Sequence, residues 1–79
     1  MQHTTTTTWA KPVPDNVESV IESKLQELEA NGITCIKDGN DGEVQRVISR
    51  TWSDLATAES WRDFVLSLGA ITSVVNPVS

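Results

Sequence analysis

Apolar and polar residues recur with different periods along the chain, and the changes of period divide it into six pieces. Across residues 15–31, Val17, Val20, Ile21, Leu25 and Leu28 fall three and four apart. That spacing places them on one stripe of an α-helix. Glu18, Glu22, Glu27 and Glu29 sit mostly off the stripe. Asp15 and Glu18 form an Asp-x-x-Glu pair of the capping-box kind, and Asn31-Gly32 is a left-handed stop. A second helix is expected over residues 55–68. Ser53 and Asp54 can cap it, Ala58, Trp61, Val65 and Leu68 make its stripe with Phe64 beside them, and Gly69 ends it.

The other runs suit strands. Residues 4–11 begin with five threonines, whose β-branched side chains favour a pleated backbone. Trp9 needs a place to bury, and Pro12 and Pro14 close the run. Residues 33–37 read as a short strand. Asp38-Gly39-Asn40-Asp41-Gly42 is dense in turn formers, and residues 43–52 form a longer strand, completing a hairpin with a loop of about five residues. Residues 70–76 make a last strand, closed by Pro77. The order β-α-β-β-α-β predicts one ferredoxin-like α+β domain over residues 1–79, with residues 1–3 as a tail. The expected sheet has four antiparallel strands, the first and third central, and both helices on one face.

Such a sheet has one uncovered face, and alternation along the third strand suggests which residues occupy it. Val44, Arg46, Ile48, Arg50 and Trp52 form one set; Gln45, Val47, Ser49 and Thr51 form the other. Arginine is rarely buried unpaired beneath a helix. On that ground the first set is expected on the open face, joined by Trp9. The expected interface is therefore Trp9, Val44, Arg46, Ile48, Arg50 and Trp52, a mixture of apolar and arginine side chains that suits association.

Composition narrows the choices. The chain has 79 residues, 11 acidic and 6 basic side chains, a net charge of −5 and one cysteine. A fold of this mass hides only about 62% of the surface of its unfolded chain, so oligomerisation is a natural route to a larger core. The acidic balance argues against nucleic acid and anionic membranes. No apolar run approaches the roughly 20 residues of a spanning helix, the first residues lack the features of a secretory signal, and a lone Cys35 fits a cytoplasmic setting.

The stretches Arg50-Thr51-Trp52-Ser53-Asp54, Ala58-Glu59-Ser60-Trp61 and Phe64-Val65 resemble the third strand and second helix of small dimeric α+β barrel proteins. These include antibiotic-biosynthesis-monooxygenase-like proteins and uncharacterised short proteins of phages and marine metagenomes. The resemblance implies a homodimer with two sheets packed face to face. The chain is shorter than most enzymatic members, and no catalytic residue of theirs maps onto it.

Other candidate chemistry is sparse. His3 is the sole histidine, and one histidine with one cysteine makes no transition-metal site. Cys35 reads as a small buried hydrophobe. The segment from Asp38 resembles a calcium loop, but its twelfth position is Ser49 rather than a glutamate, and it joins strands. Arg46 and Arg50 lie four apart on a strand, about 13 Å along it, and can bind an anion or pair across a dimer. No catalytic, cofactor-binding or metal residue is assigned. The leading expectation is a protein acting by homodimerisation or partner binding through the open face. The alternatives are a small monooxygenase-like enzyme, which needs a polar-lined pocket against the second helix, and an anion- or metabolite-binding module.

Overall fold

The computed structural model describes residues 2–78. The elements are β1 (His3–Ala10), α1 (Asp15–Ala30), β2 (Ile36–Asp41), β3 (Gln45–Trp52), α2 (Leu55–Ser67) and β4 (Thr72–Pro77). The strands form one antiparallel sheet in the order β2-β3-β1-β4. This is the expected ferredoxin-like α+β arrangement, with β1 and β3 central. β1 begins at His3, so the expected tail shortens; Met1 lies outside the described residues.

The threonine run becomes the central strand by alternating. Thr5, Thr7 and Trp9 are buried toward the helices, and Thr4, Thr6 and Thr8 face away. A hydroxyl serves better than a methyl at Thr5, because its Oγ1 donates to the Ala58 carbonyl of α2 at 3.2 Å. Thr7 Oγ1 pairs with Ser73 Oγ of β4 at 3.1 Å. Buried polar groups are thus satisfied within the packing.

Both helices end alike. Gly32 and Gly69 have φ of 79° and 106°, a region that only glycine enters without strain. Ile33 N–H returns to the Leu28 carbonyl and Gly32 N–H to Glu29; Ala70 N–H returns to Val65 and Gly69 N–H to Leu66. Each pair is a Schellman closure. The starts differ. Asp54 caps α2, accepting from Thr57 N–H at 3.1 Å and from the Thr57 hydroxyl at 2.6 Å. These bonds, the hydroxyl first, hold the Asp54 carboxyl below its ordinary pKa. α1 starts at Pro14 without a side-chain cap, so the expected Asp15–Glu18 box does not form. Glu18 turns instead to Arg46 of β3.

Two further expectations are corrected. The segment from Asp38 to Asp41 is part of β2, not the hairpin loop. The turn is residues 42–44, closed by Gly42 N–H on the Gln45 carbonyl at 2.9 Å. Gly39 and Gly42 do not take positive φ, so the turn formers are spent in an extended edge strand.

The faces are also exchanged. The register sets Thr5 beside Arg50, Thr7 beside Ile48 and Trp9 beside Arg46. Trp9, Arg46, Ile48, Arg50 and Trp52 therefore share the helix side, where Trp9, Arg50 and Trp52 are buried. Val44 lies in the exposed turn. The open-face interface expected from these six residues is not what the fold builds. The physical reason is that the tryptophans and Ile48 demand burial more strongly than the arginines demand solvent. Arginine stems can lie along apolar surface while their heads find other partners.

Candidate functional site

The arginines fit beneath the helices because α1 does not close on the sheet. α2 packs directly, through Ala58, Trp61 and Val65, all buried. On α1 only Val17 is buried, and Ile21, Leu25 and Leu28 are half-exposed partners of the core. Between α1 and the sheet runs a groove of about 350 Å³. Its floor carries Thr7 and Trp9 of β1, Arg46, Ile48 and Arg50 of β3, and Lys37 of β2. One wall is Glu18, Ile21, Glu22 and Leu25 of α1; the other is Trp61 and Val65 of α2. The size and the mixture of apolar walls with a few convergent charges suit a small ligand. A second cleft of about 250 Å³ lies between the C-terminal part of α1 and the start of α2, and Lys24 is its one charged lining residue.

Charge pairing separates the groove into two ends. At one end Arg46 is held by Glu18 at 2.6 Å and by Asp41 at 3.2 Å, and Lys11 reaches Asp41 at 2.9 Å. These carboxylates raise the Arg46 pKa, Glu18 most. Lys11 and then Arg46 lower that of Asp41. The chain of four ties α1 to the hairpin. Elsewhere Lys24 pairs with Glu27 and Arg62 with Asp63.

The other end of the groove is different. Of the six basic side chains, Lys37 and Arg50 are the two with no carboxylate partner among the described residues. They are also directly opposite one another in the β2–β3 register. Their Cβ atoms are then about 5 Å apart, and like charges so placed repel. Arg50 is 8% exposed. Its guanidinium lies over the Trp61 ring, 5.3 Å from the centroid, and donates through one terminal nitrogen to Cys35 Sγ at 3.7 Å. A ring face and a weakly accepting sulfur replace little of the hydration that burial removes from a guanidinium. Cys35 itself stands just before β2 and is half-buried, not in mid-strand as expected.

The site thus gathers Trp9, Arg46, Ile48 and Arg50 of the expected set. Trp52 lies beyond it, packed at a tilt against Trp61 with 5.2 Å between centroids, and Val44 is remote in the turn. Sequence reading missed Lys37, Glu18 and Glu22. A hairpin loop at residues 38–42 would set Lys37 beside Glu43; the observed register sets it beside Arg50. The missing signal was the register, which the turn length decides. His3 opens β1 outside the groove lining. Among the described residues no group of three or more His, Cys, Asp or Glu side chains could hold a metal, and no helix is long and apolar enough to cross a membrane.

No family model matches the chain, and no curated protein matches it. Its structure is similar to that of the structured domain of Drosophila melanogaster Boca, with a TM-score of 0.57 and 14% sequence identity over 99% of this chain and 97% of that one. At that identity the likeness supports the fold alone.

Proposed function

We propose that this protein is a binding module for a small anion, taken into the groove between α1 and the sheet. The observation that carries the reading is the Arg50–Lys37 pair: two cations face each other at a protein groove, one buried, and neither has a carboxylate. This happens in a chain with 11 acids for 6 bases, where partners are plentiful and the other four cations have found theirs. An anion bridging the two would relieve their repulsion and replace the hydration Arg50 loses. A carboxylate or phosphate oxygen pair matches the guanidinium fork. The free Cys35 thiol suits a reducing compartment such as the cytoplasm.

The test is thermal unfolding with acetate, inorganic phosphate and longer carboxylates, each against sodium chloride of equal ionic strength. A ligand at about a hundred times its Kd adds about 2.7 kcal/mol, which raises the melting temperature of so small a domain by about 10 °C or more. Arg50→Met should abolish the rise. If no anion exceeds the salt control, the reading is wrong.

A second reading, homodimerisation, is supported by the uncovered face. Its residues include Thr4, Thr6, Thr8, Ser49, Thr51 and Thr72, and Asp38 is its sole ionisable side chain among the described residues. Ile36 and Val74 stand 69% and 51% exposed there. Hydroxyls pair among themselves, Thr4 with Thr51 at 3.2 Å and Thr6 with Ser49 at 3.4 Å, so the face gives up little hydration when covered. A dimer joined this way agrees with the resemblance to dimeric barrel proteins, although the residues are not those first expected. Light scattering over a dilution series should give twice 8.6 kDa, reverting to the monomer mass in Ile36→Asp. A monomer at every concentration removes this reading.

A further inference from the structure

We infer that the ligand of the groove is an amphipathic monoanion: one carboxylate or equivalent acidic head on an apolar body of about eight to ten carbon atoms. The inference rests on the anion-binding reading and specifies what the rest of the groove adds to it.

The charges in and beside the groove set the ligand's charge. Lys11, Lys37, Arg46 and Arg50 are opposed by Glu18, Glu22 and Asp41, four against three. Arg46, however, is already engaged by Glu18 and Asp41, and Lys11 by Asp41, which leaves two cations at one corner and Glu22 on the wall of α1. A single acidic head bridges Lys37 and Arg50 and stays clear of Glu22. A dianion or a polyphosphate would bring further negative charge toward Glu22 and Glu18, with no cation left to receive it.

The walls set the body. Away from the Lys37–Arg50 corner and the Arg46 end the lining is mostly apolar, Trp9, Val13, Ile21, Leu25, Ile48 and Val65, with Thr7 on the floor, its hydroxyl already paired with Ser73. Apart from the indole N–H of Trp9 and the already engaged Thr7 hydroxyl, these side chains offer no hydrogen bonds to a sugar or a polar chain. Ile21, Leu25 and Ile48 are only half-buried, so an apolar body would cover surface that α1 and the sheet leave wet. At about 30 Å³ for a water-sized group, 350 Å³ holds about a dozen such groups. That is a head with a medium alkyl chain or a single aryl ring on a short spacer.

Isothermal titration of the whole chain tests this with octanoate and 4-phenylbutyrate as probes. Acetate and inorganic phosphate serve as heads without a body, and octanamide as a body without a charge. The expected order has octanoate or 4-phenylbutyrate binding at least about tenfold tighter than acetate, phosphate and octanamide, since each buried methylene contributes. Lys37→Glu, at an exposed position of β2, should weaken the carboxylates about tenfold or more and octanamide by much less. This variant keeps the test decisive if Arg50→Met does not fold. If acetate or phosphate binds as tightly as octanoate, the amphipathic inference is overturned and the anion site stands. If octanamide binds as tightly as octanoate, or if no probe binds, both fall.

Discussion

α1 and α2 lie on the same face of one sheet, are capped at their C-termini by the same motif, and pack in opposite ways. α2 sits close because it presents Ala58, 0% exposed, to the middle of β1, where Thr5 donates to its carbonyl. Around that contact Trp52, Trp61 and Phe64 form a run of tilted rings with centroids 5.2 and 5.3 Å apart. α1 presents the longer side chains Val17, Ile21 and Leu25, buries one of them, and is held at its first turn by the Glu18–Arg46 contact. The lesson is that a helix–sheet seat needs a small residue at its centre. Where the small residue is missing, side-chain length becomes a gap, and the gap is where charged residues gather.

The largest effect that could break this contrast is at the aromatic cluster. Trp61→Ala should cost about 3–5 kcal/mol, whereas Leu25→Ala should cost less than about 2 kcal/mol, at the low end of large-to-small changes. Urea unfolding measures both, and equal losses would mean that α1 is seated as firmly as α2. Overpacking is the next test. Ala58→Leu should lose about 1–3 kcal/mol, while Val20→Leu, on an exposed position of α1, should stay within about 0.5 kcal/mol of the parent.

The contrast was only partly legible beforehand. Helix and strand positions followed from the spacing of Val17, Ile21 and Leu25 and of Ala58, Trp61 and Val65, because periodicity is a local property. Which sheet face the helices cover is not local. Arg46 and Arg50 argued for solvent, Trp52 and Ile48 for the core, and both pairs lie on one face of β3. Sequence alone favours the arginines, because nothing in it says that α1 stands off the sheet. Lys37 is hidden in the sequence for a related reason. Its neighbour depends on a turn that four candidate turn residues, Asp38 to Asp41, decline to make.

Smaller effects sharpen the comparison in time and in pH. Amide exchange should run faster in α1 than in α2, because fewer buried side chains hold it, and Glu18→Gln should speed α1 alone. Uniform protection across both helices would contradict that. Acid should loosen both ends. Asp41, beside Lys11 and Arg46, and Asp54, beside Thr57, have pKa values lowered from 3.8. Their contribution is present above the unfolded value and is lost as the pH falls through the folded one, below 3.8. Melting temperatures recorded from about pH 6 to about pH 2 should fall at the acid end, and less so in Asp41→Asn and Asp54→Asn. An unchanged acid limb in both variants would mean that neither carboxylate is coupled to folding.

The three tryptophans are the chain's strongest optical groups, since it has no tyrosine. Trp52 is 1% exposed, with its indole N–H unpaired among the described residues, a dry setting that favours short-wavelength emission. Trp9 and Trp61 border the groove. The molecule therefore carries its own reference and its own sensor. The tilted Trp52–Trp61 pair, 5.2 Å between centroids, should give a near-ultraviolet exciton signal that reports whether α2 is seated. Trp9 lies on the groove floor outside that pair, so its emission should follow whatever enters beneath α1, and folding and occupancy can both be read in one cuvette, without a label.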